Sequence, residues 1–213
     1  MTTRRPTRLA PRYAAVAATA AALVLPLATP AAASGPAAFP ATIHASRINV
    51  KLANEGNKLH RGDAVPAKGV TQRVSLGGDV LAGLAAGPAT DEAVYPVLSA
   101  DSGAHWHIDG PMFYRPAADA PDVTSRLAAL GDDTLMAWGP GGNFVKTTTD
   151  RGAKWYSSDF PVGVHSAAVT HGELTVRALG NPTRSGRFPT RRYVSTDGGL
   201  VWHRGPALGE VGD

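Results

Sequence analysis

Ser99-Ala-Asp-Ser-Gly-Ala-His-Trp106, Thr148-Thr-Asp-Arg-Gly-Ala-Lys-Trp155 and Ser195-Thr-Asp-Gly-Gly-Leu-Val-Trp202 are three copies of one degenerate octapeptide, Ser/Thr-x-Asp-x-Gly-x-x-Trp. Their aspartates, Asp101, Asp150 and Asp197, stand 49 and 47 residues apart. A period of roughly 40–50 residues marks an array in which each repeat is one small structural unit. The octapeptide has a physical logic of its own. A short carboxylate accepts hydrogen bonds from backbone N–H groups of its own turn. The Ser or Thr two residues earlier supplies a second local partner. Gly103, Gly152 and Gly199 allow a positive φ that a Cβ would resist. Trp106, Trp155 and Trp202 then re-enter a strand and cover the hairpin with a large apolar surface. These residues are read as structural, each set stapling two antiparallel strands.

A worn fourth copy stands in register. Leu52-Ala-Asn54-Glu-Gly56-Asn-Lys-Leu59 places Asn54 at the Asp position, 47 residues before Asp101, keeps Gly56, and has Leu59 in place of Trp. Asn retains the side-chain carbonyl that an Asx-turn requires. Around the boxes, short runs rich in Val, Leu, Thr and Trp alternate with Gly, Asp and Pro, which is an all-β signal. No stretch carries an amphipathic helical period. In the second full repeat, strands are expected at 123–130, 134–138, 143–149 and 154–160. The first repeat matches at 70–76, 80–84, 94–100 and 105–109, and the last at 164–169, 174–179, 192–196 and 201–204.

The octapeptide resembles the Asp-box of BNR/sialidase-type β-propellers. That resemblance implies an all-β chain of four-stranded propeller blades, here about three and a half per chain: a partial unit at 43–69 and full ones at 70–110, 123–160 and 164–206. The partial unit would be an outer strand pair, around 43–51 and 58–63, flanking the worn box. Three completions are open. Two copies could form a homodimer closing one seven-blade ring, the N-terminal pair could cap an open fan, or the chain could be a fragment of a longer propeller. An unclosed array leaves strand edges and apolar faces to be protected.

The first 33 residues read as a secretory signal: Arg4, Arg5, Arg8 and Arg12, an apolar run from Ala14 to Leu27, then Ala31-Ala-Ala33 before Ser34. An Ala/Pro-rich lead-in would follow over 34–42. The expectation is a protein exported to the extracellular space or the cell envelope, with no membrane span in the mature chain. Four of the 21 Lys and Arg lie within the signal, so the remaining 17 face 17 Asp and Glu. The formal charge of +4 is thus a property of the leader, and a nucleic-acid partner is not expected without a retained basic patch. With no Cys, neither disulfides nor a lipid anchor on cysteine is available, and stability must come from a packed core.

Function is expected on the face opposite the boxes, where inner strands meet. Aligning those strands places Gln72, Arg126 and His165 at equivalent positions, with Arg73 beside the first. Together they are candidates for binding a polar or anionic ligand. Asp91, Glu92, Asp109, Tyr114, Arg115, Asp119, Asp122, Arg184 and Arg187 fall on connections assigned to the same face. The resemblance to sialidases implies three substrate-binding arginines, a Tyr nucleophile paired with Glu, an Asp acid/base and an Arg-Ile-Pro element. Here Arg47-Ile-Asn49 has Asn in place of Pro, and Tyr114 and Glu92 are the available Tyr and Glu. His105 and His107 have a spacing compatible with transition-metal binding but lack a third ligand. Arg61-Gly-Asp63 copies a cell-adhesion tripeptide and fits a turn. The expectation is a non-catalytic module binding a glycan or protein, without cofactor or metal. A sialidase-like glycoside hydrolase is the alternative.

Overall fold

The computed structural model describes residues 39–55, 59–86, 93–114, 125–139 and 141–212. The expected signal, Gly56, Asp91, Glu92, Arg115, Asp119 and Asp122 lie outside the described residues, as does the side chain of Tyr114.

In chain order the elements begin with β1 (Thr42–His44), β2 (Ser46–Ile48), a one-turn helix α1 (Val50–Ala53) and β3 (Ala64–Val65). The first repeat gives β4 (Val70–Ser75), β5 (Leu81–Ala86), β6 (Ala93–Ser99), β7 (Trp106–Ile108) and the short β8 (Phe113–Tyr114). The second gives β9 (Arg126–Leu130), β10 (Thr134–Trp138), β11 (Phe144–Thr148) and β12 (Trp155–Asp159). The third gives β13 (Gly163–Thr170), β14 (Glu173–Leu179), β15 (Phe188–Ser195) and β16 (Val201–Val211).

The chain is all-β, but the four-stranded-blade architecture is not what forms. Three open antiparallel sheets are present, in the orders β1-β16-β15-β14-β13, β2-β12-β11-β10-β9 and β3-β7-β6-β5-β4, with β8 added alongside β6. None is closed. The correction concerns the N-terminal segment. It makes no half-blade of its own, because β1, β2 and β3 each pair with the last strand of a different repeat. Each repeat thereby gains a fifth strand at its outer edge, where an unpaired row of N–H and C=O groups would otherwise invite association. The worn box does not turn a hairpin either. Asn49 caps α1 through its side chain, which accepts from Leu52 N at 3.3 Å, and Asn54 closes that helix. The Asn54 carboxamide is buried and bonds across the fold: it donates to Gly110 O at 3.2 Å and accepts from Met112 N at 2.8 Å.

The three full octapeptides share one geometry. Ser99, Thr148 and Ser195 each donate to the carboxylate of Asp101, Asp150 or Asp197, at 2.7, 2.9 and 2.7 Å. The same hydroxyls accept from Gly103, Gly152 and Gly199 N at 2.9, 2.9 and 2.8 Å. Each carboxylate also accepts the amide four residues on, from His105, Lys154 or Val201, at 2.9, 2.8 and 3.0 Å. The glycines adopt φ of +91, +92 and +91°. The residue before each is left-handed as well: Ser102, Arg151 and Gly198 have φ of +56, +55 and +77°.

Burial patterns give the order of the layers. In β10 Leu135, Met136, Ala137 and Trp138 are all buried, because Met136 and Trp138 face one core and Leu135 and Ala137 the other. A strand covered on both faces reads as a continuous apolar run. β14 instead alternates, burying Leu174, Val176 and Ala178 only. The β9–β12 sheet is thus the middle layer, between the β4–β7 sheet and the β13–β16 sheet. A third cluster covers the far face of the β4–β7 sheet, where Leu59, Val65 and Ala67 of the N-terminal segment pack on Tyr95, Val97 and Trp106. Each tryptophan occupies a different cluster: Trp202 packs with Phe160 and Tyr193, Trp155 with Leu84 and Leu127, and Trp106 beneath the N-terminal segment.

A seam in the middle core carries one cation. Lys146 Nζ donates to Met112 O at 2.6 Å and sits 4.6 and 5.1 Å from the ring centroids of Phe113 and Phe144. Burial pushes its amine down to about 8.

Gly152 shows how tightly the turns are seated. A Cβ there would land on the Asp109 carboxylate, whereas Gly172, at φ +80°, faces open space. Both positions carry a left-handed penalty of about 1–2 kcal/mol for alanine. Gly152→Ala must displace a buried carboxylate as well. Chemical denaturation should show it less stable than Gly172→Ala by about 2 kcal/mol or more; equal losses would show that the turn yields freely.

Candidate functional site

The inner edges of the three sheets are β4, β9 and β13, and β9 packs against both of the others. At this meeting Gln72, Arg126 and His165 line one cavity of about 420 Å³, with Leu127, Trp138 and Ser166 completing the lining. The positions aligned from sequence are therefore brought together, one from each repeat. Backbone irregularities aim two of them. The β4–β5 register shifts between Thr71 and Val74, and Gln72 takes a left-handed φ of +53°. The β13–β14 register shifts between Val164 and Ser166, at His165. Such bulges redirect side chains and concentrate at functional positions. Arg126 is placed differently, as the first residue of β9 opposite Trp138.

Arg73 does not join them. The irregularity sends it to the far face of its sheet, where it lies 5.4 Å from the Trp106 ring centroid and donates to Ala67 O at 2.6 Å. Arg126 and His165 are exposed and Gln72 is half-buried. Among the described residues none of the three has a hydrogen-bond or ion-pair partner, so their polar atoms are available to a ligand. A guanidinium, an imidazole and a carboxamide in one cavity that Trp138 also lines can hold a carboxylate or a hydroxyl-rich group. Sequence reasoning missed Trp138 in this lining, because it sits in a run that reads only as core.

Compared with known proteins, the chain matches no family model, no curated protein and no solved structure.

Several of the remaining candidates are engaged in structure. His105 Nδ1 lies 2.6 Å from Asp101 Oδ2, inside its own turn. Among the described residues no three His, Cys, Asp or Glu side chains converge as a metal site would require. The backbone N–H of His105 and then its ring hold the Asp101 carboxyl well below the usual range. For Asp197, burial pushes upward, but the Ser195 hydroxyl and the Val201 and Leu200 amides outweigh it, and the net shift is downward. Arg187 is exposed and pairs with Glu210 at 3.4 Å.

Arg61 and Asp109 form a separate structural lock beside the second octapeptide, away from the connection to which Asp109 was assigned. Arg61 Nε and Nη2 donate to Asp109 Oδ1 at 3.3 and 2.9 Å. The same guanidinium donates to Gly152 O at 2.9 Å and Ala153 O at 3.3 Å. Asp63 accepts from His60 N at 2.6 Å, so both ends of the Arg-Gly-Asp tripeptide are tied into the fold. Asp109 stands three residues after Trp106, and its counterpart after Trp155 is Ser158. That serine accepts from Trp202 Nε1 at 2.9 Å and donates to Gly199 O at 3.3 Å. At the Asp109 position a carboxyl replaces the hydroxyl, and among the described residues both Asp109 Oδ2 and Trp155 Nε1 are buried without a partner.

Burial raises the Asp109 pKa despite the opposing charge of Arg61. With the folded value above the unfolded one, the folded state takes up a proton as pH falls, and the neutral acid needs Arg61 less. Arg61→Met should therefore cost about 2 kcal/mol at pH 7 and clearly less near pH 3–4, as read by denaturant unfolding. A pH-independent cost would show that Arg61 acts through its backbone contacts alone.

Proposed function

We propose that this chain is an exported, non-catalytic binding module that holds a polar or anionic ligand, such as an acidic glycan or a carboxylate of a protein partner, in the Gln72–Arg126–His165 cavity. One observation carries the reading: three inner strands each deliver to a single cavity one polar side chain that has no partner among the described residues. Arg126 is the anchor, since a guanidinium binds a carboxylate with paired donors. The Arg-rich and then Ala-rich opening of the sequence supports export. The likeness of the octapeptide to Asp-boxes supports a glycan among the ligand classes.

The sialidase-like alternative draws on that same likeness. Glycoside hydrolysis needs two catalytic groups at a fixed separation, and fold or motif alone does not carry function. The described lining of the cavity supplies neither a carboxylate nor a tyrosine, which favours binding over turnover.

Titration with N-acetylneuraminate, a carboxylated sugar, against neutral galactose tests the reading by calorimetry. The acidic sugar should bind and the neutral one should not, and Arg126→Ala should weaken binding about tenfold, roughly 1.4 kcal/mol. Binding indifferent to Arg126 would overturn the assignment of the site. Turnover of a fluorogenic sialoside, lost in Arg126→Ala, would replace it with the hydrolase.

A further inference from the structure

A second concavity, of about 690 Å³, opens beside the second octapeptide. Among the described residues its ionisable lining is basic: Arg47 on β2, Lys51 on α1, His60 and Arg61 on the turn before β3, and Lys154. Among the described residues no carboxylate lines it. This is a concentration of charge in a chain whose acidic and basic residues balance after residue 33. Arg61 is neutralised by Asp109, and its bonds to Gly152 O and Ala153 O fasten the turn to the octapeptide. It therefore acts as a strut that sets the width of the groove.

The other basic side chains are not used by the fold. Arg47, Lys51, His60 and Lys154 are exposed, and among the described residues none of their side chains has an ion-pair or hydrogen-bond partner. Glu55, one turn beyond Lys51, makes no ion pair with it. Lys154 occupies the octapeptide position where the first copy has His105, turned back onto its own Asp101, and the third has the apolar Val201. Only the second copy directs an unpaired cation outward. Like charges gathered on a fixed wall repel one another unless an anion bridges them.

We propose that this groove is a second binding site, for a ligand bearing two or more phosphate or sulfate groups. Three permanent cations without acidic partners exceed what one monovalent carboxylate neutralises. An arginine fork beside two lysine point charges suits tetrahedral oxyanions. A single-stranded nucleic acid would want an exposed aromatic platform for its bases, and the aromatic residue of this lining, Trp155, is fully buried. The site lies apart from the Gln72–Arg126–His165 cavity and stands or falls independently of it.

Inorganic tripolyphosphate and a sulfated heparin disaccharide are the probes, added to the purified protein and followed by calorimetry and amide chemical shifts. Binding is expected for at least one, weakening steeply with salt and shifting amides of residues 47–51 and 153–155. Lys51→Gln with Lys154→Gln should lower affinity at least tenfold. Lys68→Gln, which removes an exposed cation outside the groove, should change it less than twofold. Tighter binding of the disaccharide identifies glycan-borne sulfate as the source, and tighter binding of tripolyphosphate identifies phosphate; either supports the site. The proposal is overturned if neither probe binds at low salt, if Lys68→Gln costs as much as the double change, or if a short single-stranded DNA binds more tightly than both.

Discussion

A carboxylate that accepts backbone amides within its own turn decides where the outer strands of every sheet meet. Asp101, Asp150 and Asp197 each complete a local circuit with a hydroxyl two residues before and an amide four residues after. Because the circuit is closed locally, the conformation of the turn is set by its own residues. It can therefore present its tryptophan outward as a packing element for a neighbouring layer. The indole of Trp202 crosses to the middle sheet, where it donates to Ser158 Oγ. Trp106, in the first repeat, has no earlier repeat to meet, and the N-terminal segment covers it instead.

The same segment resolves the edge problem that a short repeat array creates. Three strands of two or three residues each are too short to form a sheet together, yet each suffices to pair one exposed edge. Spreading them over three sheets ties all three repeats to a single stretch of chain. Arg61 adds a side-chain tie, since it reaches Asp109 of the first repeat and Gly152 of the second. The groove lined by Arg47, Lys51 and Lys154 follows from this arrangement, because stitching strands lie against octapeptide turns at the outer rim.

The repeats were legible in the sequence because their turns depend on local chemistry, which an octapeptide fully encodes. Most strands of the three repeats fall close to their expected spans, and β10 agrees with 134–138 residue for residue. But β15 starts four residues before the expected 192, and β16 runs seven residues past the expected 204. The fate of residues 42–65 was not legible. Their partners lie more than 40 residues away, and nothing in Ser46-Arg-Ile48 states which edge it will meet. Asn54 illustrates the difficulty: the residue suits an Asx-turn, but tertiary contacts with Gly110 and Met112 claim its carboxamide. Gln72, Arg126 and His165 could be aligned because the repeats align. Arg73 could not be placed, since a bulge decides which face a strand residue takes. A cationic excess over residues 44–61, six His, Lys and Arg against Glu55, was the available sign of the basic groove.

Both proposed sites are products of the repeat geometry, one where inner strands converge and one where the N-terminal strands meet the turns. What unites them is the claim that the N-terminal segment and the three sheets form one cooperative structure. Native-state hydrogen exchange measures this directly. The Ala45 amide, which donates to Leu200 O at 2.8 Å, should open with the same free energy as Val176 in the buried centre of β14. Exchange of Ala45 and its β1–β2 neighbours many-fold faster than Val176, with the sheets still protected, would contradict the account.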